Sequence, residues 1–292
     1  MNDDDLAARE HANMIEVMAG GARSAPGGLV RQEDGVAMFA SGLPINLFNQ
    51  VLVEDASVDS DRVSAAIAAG VATMRERGDV FMVNLRRGTD DAFKPLMAEL
   101  GLAAASGADP SDASDVADAS DVAEVPGLPG MALDPIPPSV AGSTASESGN
   151  GALDIRLVVD QAGMEDHLRA CAVGFGMPEE MLRAFVAVDV WRQPRRFVYV
   201  GYLDGEAVVT GLGARTGDTI GVYNISTIEW ARKRGYGEAM TRRVAADGRD
   251  AGCTVAILQA SRMGLPLYER LGYRTVVEYV AYTEPAGDPT GA

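Results

Sequence analysis

The feature that most constrains this chain is a stretch near its middle that has little with which to build a core. Residues 103–154 hold nine acids (Asp109, Asp112, Asp115, Asp118, Asp121, Glu124, Asp134, Glu147, Asp154) and no Lys or Arg. Within it Ala113-Ser114-Asp115-Val116-Ala117-Asp118 is followed by Ala119-Ser120-Asp121-Val122-Ala123-Glu124, a six-residue repeat with little to bury. A low-complexity acidic segment cannot offset its ordering entropy, which predicts disorder over about 103–125. Pro135, Pro137 and Pro138 and the Gly/Ser-rich run from Gly142 to Gly151 read as a linker over 135–153. The 292 residues therefore divide into a first domain, 1–134, carrying the acidic stretch as an insertion, and a second, 154–292. Leu128–Leu133 is expected to return as a strand of the first.

The same stretch explains the charge. The net charge is −17, and setting the nine acids aside leaves −8, ordinary for a soluble protein. That balance excludes a general nucleic-acid binder, which needs a basic surface to displace phosphate counterions. No apolar run approaches the roughly 20 residues of a membrane span. Met1-Asn2-Asp3-Asp4-Asp5 is acidic where a secretory signal is basic, so the expectation is a cytoplasmic protein. Cys171 and Cys253 are the only cysteines and His11 and His167 the only histidines, which argues against a disulfide framework or a metal centre. All four read as packing or surface residues.

Hydrophobic periodicity sketches the first half. It predicts a helix over 3–19 ended by Gly20-Gly21, a hairpin about Glu33-Asp34-Gly35, and a strand near Gln50–Glu54. A helix follows over Asp61–Arg77, where Val63, Ile67, Val71 and Met74 recur three or four apart, then a strand Val80–Leu85 and a helix Asp91–Leu100. The second half is clearer. A strand at Ile155–Val159 precedes helices at Met164–Val173 and Glu179–Val188. Strands at Phe197–Leu203 and Ala207–Gly213 flank Asp204-Gly205, and Thr219–Ile228 is the third of an antiparallel set. A helix Gly237–Asp250, a strand Thr254–Gln259, a helix Leu265–Leu271 and a closing strand Thr275–Tyr282 complete a mixed α/β sheet.

Chemistry concentrates at Arg232-Lys233-Arg234-Gly235-Tyr236-Gly237, between a strand and a helix. Glycines there let backbone approach a ligand, and the amides of a helix start, reinforced by three cations, favour a phosphate. This Arg-x-x-Gly-x-Gly element resembles the acyl-CoA pyrophosphate loop of the GNAT superfamily of N-acetyltransferases. A second family element, Leu267-Tyr268-Glu269-Arg270-Leu271-Gly272-Tyr273, falls in the expected place after Thr254–Gln259. The order of elements from about 155 to 283 is similar to that family's mostly antiparallel sheet flanked by helices.

The resemblance implies an acyltransferase that moves an acetyl group from acetyl-CoA, without a metal, to the amine of a small molecule or peptide. It implies CoA contacts at Ile228, Arg232, Lys233, Arg234, Gly235, Tyr236 and Gly237, and Tyr268 as the acid that protonates the departing thiolate. Glu229 is the candidate base, directly or through water, and backbone at Tyr223 and Asn224 is placed to hold the thioester carbonyl. Many relatives carry proline before the loop, where this chain has Trp230. A non-catalytic acyl-CoA-binding regulator is the competing function.

The first half overlays on the second. Pro95-Leu96-Met97-Ala98-Glu99-Leu100-Gly101 follows the pattern of Pro266-Leu267-Tyr268-Glu269-Arg270-Leu271-Gly272, with Met97 at the tyrosine position. Val58-Asp59-Ser60-Asp61 stands where the cationic glycine loop should be, and its two acids would repel a pyrophosphate. The expectation is a tandem of a degenerate GNAT-like copy and a complete one.

Overall fold

The computed structural model describes residues 1–105, 127–138, 152–187 and 189–285. Its first helix, α1, runs over Asp3–Ser24 and so continues through the Gly20-Gly21 expected to end it. Each glycine costs a helix roughly 1 kcal/mol relative to alanine. Ala19 and Ala22, on either side of the pair, are buried, and their packing carries the helix across. Strands β1 (Leu29–Glu33) and β2 (Val36–Ala40) form the expected hairpin. Asp34 (φ 50°) and Gly35 (φ 75°) take the left-handed backbone that a two-residue turn requires.

Strand β3 (Asn49–Val53), helix α2 (Ser60–Arg77) and strand β4 (Met82–Arg86) follow. Val80 lies outside β4 and is exposed, which is why the apolar run overstates the strand. Helix α3 (Lys94–Glu99) is entered through a 3₁₀ turn at Asp91–Phe93. Strand β5 takes Ala103–Ala104, the first two residues of the segment expected to be disordered. The hexapeptide repeat and most of the linker, residues 106–126 and 139–151, lie outside the described residues.

After β6 (Leu128–Leu133) come β7 (Asp154–Leu157), α4 (Gln161–Phe175) and α5 (Glu179–Phe185). Then come β8 (Arg196–Leu203), β9 (Glu206–Thr216), β10 (Thr219–Thr227), α6 (Tyr236–Asp250), β11 (Val255–Gln259), α7 (Leu265–Arg270) and β12 (Arg274–Thr283).

These elements form two compact units that interleave along the chain. One comprises Met1–Val17 with the described residues of Gly130–Val276, the other those of Met18–Pro129 and Val277–Ala292. In the first unit the strand order is β7-β8-β9-β10-β11-β6, antiparallel except for β10 beside β11. One face of this sheet, with Ile220, Val222, Ala256 and Leu258, packs on Met240 and Val244 of α6. On the other, Val198, Val200 and Leu212 meet α4, and Leu6 of α1 joins Val255 and Ile257.

In the second unit the order is β1-β2-β3-β4-β12, with β5 also on β12 and only β3–β4 parallel. Val51, Ile67, Met74, Val83 and Met97 lie in its core.

Two strands differ from expectation in their partners. β6, expected in the first domain, runs antiparallel to β11, from Ala256↔Leu133 to Gln259↔Gly130. β12, expected to close the second domain, pairs its Tyr279–Tyr282 with Arg86–Val83 of β4. Side-chain alternation specifies that a strand forms and which face it buries, and leaves its neighbour open. The overlay of the halves is otherwise visible in geometry. α3 and α7 are both six residues long with proline in the first turn, and each is followed by a left-handed glycine, Gly101 (φ 73°) or Gly272 (φ 92°). Among the described residues each unit also has one parallel strand pair with a helix between its strands in sequence: β3–α2–β4 in one and β10–α6–β11 in the other.

Candidate functional site

The site lies in the first unit, where its parallel pair parts. β10 and β11 are paired only at Thr219–Val255, Ile220–Ala256 and Gly221–Ile257. Beyond Gly221 the strand β10 breaks register with β9 between Tyr223 and Ser226. Asn224 sits in that break with φ 51°, a conformation asparagine tolerates better than most residues. The Thr210 hydroxyl donates to the Asn224 carbonyl at 2.8 Å and fixes the bulge. Asn224 Nδ2 is buried with no hydrogen-bond partner among the described residues.

The glycine loop follows directly. Ile228 is buried in the core, and its amide donates to the Val208 carbonyl. Glu229 and Trp230 are exposed in a 3₁₀ turn, Glu229–Ala231. Arg232 is fastened inward: Nε donates to the Thr227 carbonyl at 3.1 Å and a terminal nitrogen to the Gly174 carbonyl at 2.8 Å. Its guanidinium therefore ties the loop to β10 and to the end of α4. That tie needs Gly174, because a Cβ there would fall 1.9 Å from the Ser226 hydroxyl. Lys233 (φ 62°) and Gly235 (φ 83°) both turn left-handed. The Arg234 guanidinium lies 5.5 Å from the centre of the Trp230 ring. Tyr236 is partly buried against the core below the loop.

The entrance of α6 has no side-chain cap; its N-cap is Gly235. The first amides of a helix have no partner within the helix, and together with the dipole they favour negative charge. The corresponding helix of the other unit is different. Asp59 caps α2 and accepts from the amides of Asp61 and Arg62 at 3.2 Å each. The acid that the sequence placed in this loop thus fills the position a phosphate would take.

Tyr268, on α7, belongs to the same core cluster as Met240 and Leu258 on the α6 side of the sheet. Its ring rests on Gly264, where a Cβ would lie 2.8 Å away, and meets Tyr273 edge-on at 6.0 Å between ring centres. Burial pushes its hydroxyl up to about 12, so it holds its proton at neutral pH. The Tyr273 hydroxyl is buried without a hydrogen-bond partner among the described residues and is also shifted upward by burial. In the second unit Met97, at the tyrosine position, is fully buried and has no proton to give.

The residues singled out elsewhere are structural. His167 is buried with Nδ1 3.0 Å from the Tyr199 carbonyl, and burial pushes it down to about 4. Cys171 is buried, and desolvation raises its thiol to about 12. Cys253 is buried just ahead of β11. Among the described residues no group of three His, Cys, Asp or Glu is arranged to hold a metal, and no helix is long and apolar enough to cross a membrane. Sequence reasoning missed that α1 reaches this region. Asn13 donates to the Ala214 carbonyl at 2.9 Å, and the Tyr223 hydroxyl donates to Asn13 Oδ1 at 2.7 Å. Asn13 and Glu10, fully buried in a helix of acidic and alanine-rich sequence, were the available signal.

Comparison with known proteins places this geometry. The model of the acetyltransferase (GNAT) family matches residues 163–273, which include the bulge, the loop and Tyr268. A GCN5-related N-acetyltransferase from Kribbella flavida is 16% identical, with 96% of each chain covered and a TM-score of 0.63. A second GCN5-related N-acetyltransferase, from Sphaerobacter thermophilus, is 16% identical over 85% of this chain and 80% of its own, with a TM-score of 0.58. A tandem GNAT protein from the clavulanic acid biosynthesis pathway is 12% identical, covers 99% of this chain and 98% of its own, and gives a TM-score of 0.57. No curated protein sequence matches. At these identities the structures establish a shared fold. Residues 163–273 match the model of the acetyltransferase (GNAT) family, and the chain shares its fold with the tandem GNAT protein over nearly its whole length.

Proposed function

We propose that the protein is an acyl-CoA-dependent N-acyltransferase with one working site, in the unit that contains α6. The observation that carries this reading is the contrast between the two helix entrances. α6 opens on uncapped amides behind Gly235, while the entrance of α2 is filled by the Asp59 carboxylate. The pyrophosphate of acetyl-CoA would bind the backbone from Lys233 to Gly237, with Lys233 and Arg234 supplying charge and Arg232 holding the loop in shape. Ile228 contributes the apolar wall beside it. The acyl-pantetheine arm would then run into the gap between β10 and β11, where backbone at the Tyr223–Asn224 bulge receives the thioester carbonyl.

A neutral amine attacks that carbonyl directly. The C–N bond forms, the C–S bond breaks, and Tyr268 gives its proton to the departing thiolate. Glu229, open to solvent at the edge of the loop, takes the proton of the acceptor through water. Titration calorimetry with acetyl-CoA tests the reading. One site per chain is expected, followed by thiol release when amines are supplied. Two sites would show that the α2 unit also binds. Absence of binding by folded protein would overturn the assignment, and binding without thiol release from any amine would mark a regulator.

A further inference from the structure

The positive charge of this chain is carried almost wholly by arginine. Of its 25 Lys and Arg residues, only Lys94 and Lys233 are lysines. Lys233 is the one lysine of the unit that contains α6, and it stands inside the glycine loop between two arginines. Those arginines are engaged. Arg232 donates to the carbonyls of Thr227 and Gly174, and the Arg234 guanidinium packs against the Trp230 ring. Lys233 is exposed, and its ammonium has no hydrogen-bond or ion-pair partner among the described residues. Lys94, in the other unit, is held by Asp91 at 2.8 Å.

The backbone adds a second observation. Lys233 sits at φ 62°, in the left-handed region that glycine enters freely and a long side chain does not. A glycine here would ease the turn, so the requirements of the fold do not select lysine. What lysine supplies is an amine open to solvent beside the entrance of α6.

Lysine and arginine differ in kind at such a place. A guanidinium stays protonated and does not react with acyl donors, whereas a lysine amine in its neutral form is acylated by them. Acylation removes the charge and leaves an amide. Of the three cations at the entrance of α6, the middle one is therefore the one whose charge an acyl group can remove.

We propose that Lys233 is a modification site: its Nζ accepts an acyl group from a small activated donor, a thioester or an acyl phosphate, and the amide so formed weakens the loop's hold on CoA. The neutral amine attacks the acyl carbonyl. The C–N bond forms, the C–S or C–O bond of the donor breaks, the electron pair leaves with the thiolate or phosphate, and the amine's proton passes to water. The donor comes from solution, because a CoA whose pyrophosphate lies on the loop covers the amine and protects it. The two helix entrances then differ in a further way: Asp59 closes that of α2 with a fixed carboxylate, while the charge at α6 is adjustable. This inference rests on the acyl-CoA reading of the loop and adds regulation to it.

The test treats the full chain with S-acetyl-N-acetylcysteamine or with acetyl phosphate, in the presence and absence of desulfo-CoA, and follows both lysines by peptide mass spectrometry. Lys233 should be modified about fivefold faster than Lys94, the effect of an exposed ion pair on the latter. Selective modification by either donor supports the inference, and the faster donor names the class. Desulfo-CoA at about ten times its Kd should slow modification of Lys233 about tenfold and leave Lys94 unaffected. Calorimetry with desulfo-CoA should give a Kd about tenfold weaker for the modified protein, the loss of one charge-assisted bond. Lys233→Gln, neutral without treatment, should show the same weakening. Lys233→Arg should give one Kd before and after treatment, which separates this site from damage elsewhere.

Modification of Lys94 as fast as Lys233, absence of protection by desulfo-CoA, or a wild-type Kd in Lys233→Gln overturns the inference and leaves acyl transfer standing. Failure of the untreated chain to bind acetyl-CoA or desulfo-CoA sinks the acyl-CoA reading instead.

Discussion

Gly237 is a residue the folded chain does not need. Its φ is not left-handed, and a Cβ built on it would meet nothing closer than the Thr227 hydroxyl at 3.7 Å, Leu267 at 3.8 Å and Ile225 at 3.9 Å, all ordinary contacts. It stands in the first turn of α6, where alanine is the better helix former by about 0.5–1 kcal/mol. Gly237→Ala should therefore raise stability by about that amount, which is roughly 1–4 °C in Tm for domains of this size. The methyl group would, however, stand over the amides assigned to the pyrophosphate and keep the ligand's oxygens from closing to hydrogen-bond distance. Losing two charge-assisted bonds at about 1.5 kcal/mol each corresponds to roughly 100-fold in Kd. The two effects have opposite signs, so a damaged fold cannot imitate the result. Thermal melts without ligand, paired with acetyl-CoA calorimetry, read both. An unchanged Kd would refute the claim that the ligand's backbone approach accounts for this glycine. A lowered Tm would refute the reading that a Cβ there makes only ordinary contacts.

Three further outcomes follow from the geometry. Tyr268→Phe should cut turnover by about 100-fold or more while leaving acetyl-CoA affinity and Tm near wild type, since no protein group bonds the hydroxyl among the described residues; equal turnover removes Tyr268 from the mechanism. His167 titrates near 6.5 when unfolded and about 4 when folded, so it lends stability above pH 6.5 that is lost as the pH falls through 4. The total is roughly 3 kcal/mol, and the fall in Tm over that range should flatten in His167→Gln; parallel curves would contradict the assignment. Asp59→Ala should destabilise by about 1 kcal/mol through loss of the α2 cap, yet leave one acetyl-CoA site per chain. A second site appearing in calorimetry would show that the capping carboxylate alone had closed that helix entrance.

Local chemistry made much of this molecule legible. Asp204 and Gly205, both left-handed, form the turn between β8 and β9 that the dipeptide announced, and Pro266 opens α7 as Pro95 opens α3. The loop could be read because glycine, cations and a helix start leave a pattern within six residues. What could not be read are contacts between residues some 200 positions apart, such as Asn13 with Ala214, whose two ends carry no mutual signature. Arg232 illustrates a subtler gap. Its motif position suggested a ligand contact, while its guanidinium is occupied by two backbone carbonyls that only the folded chain brings together. The expectation that Gly20-Gly21 would end α1 misjudged the balance between propensity and packing, since the buried Ala19 and Ala22 outweigh two poor helix formers.

The exchange of β6 and β12 has a consequence for how the protein is made. The ribosome finishes β4 long before residues 277–283, yet those residues supply the strand that pairs with β4. Until they emerge, the half synthesised first keeps an open sheet edge of buried, apolar character, the kind of surface that chaperones bind and that aggregates when left bare. Order of synthesis and order of completion therefore run in opposite directions. A nascent chain stalled after α7 would hold a finished α6–β11 core beside a sheet still waiting for its last strand.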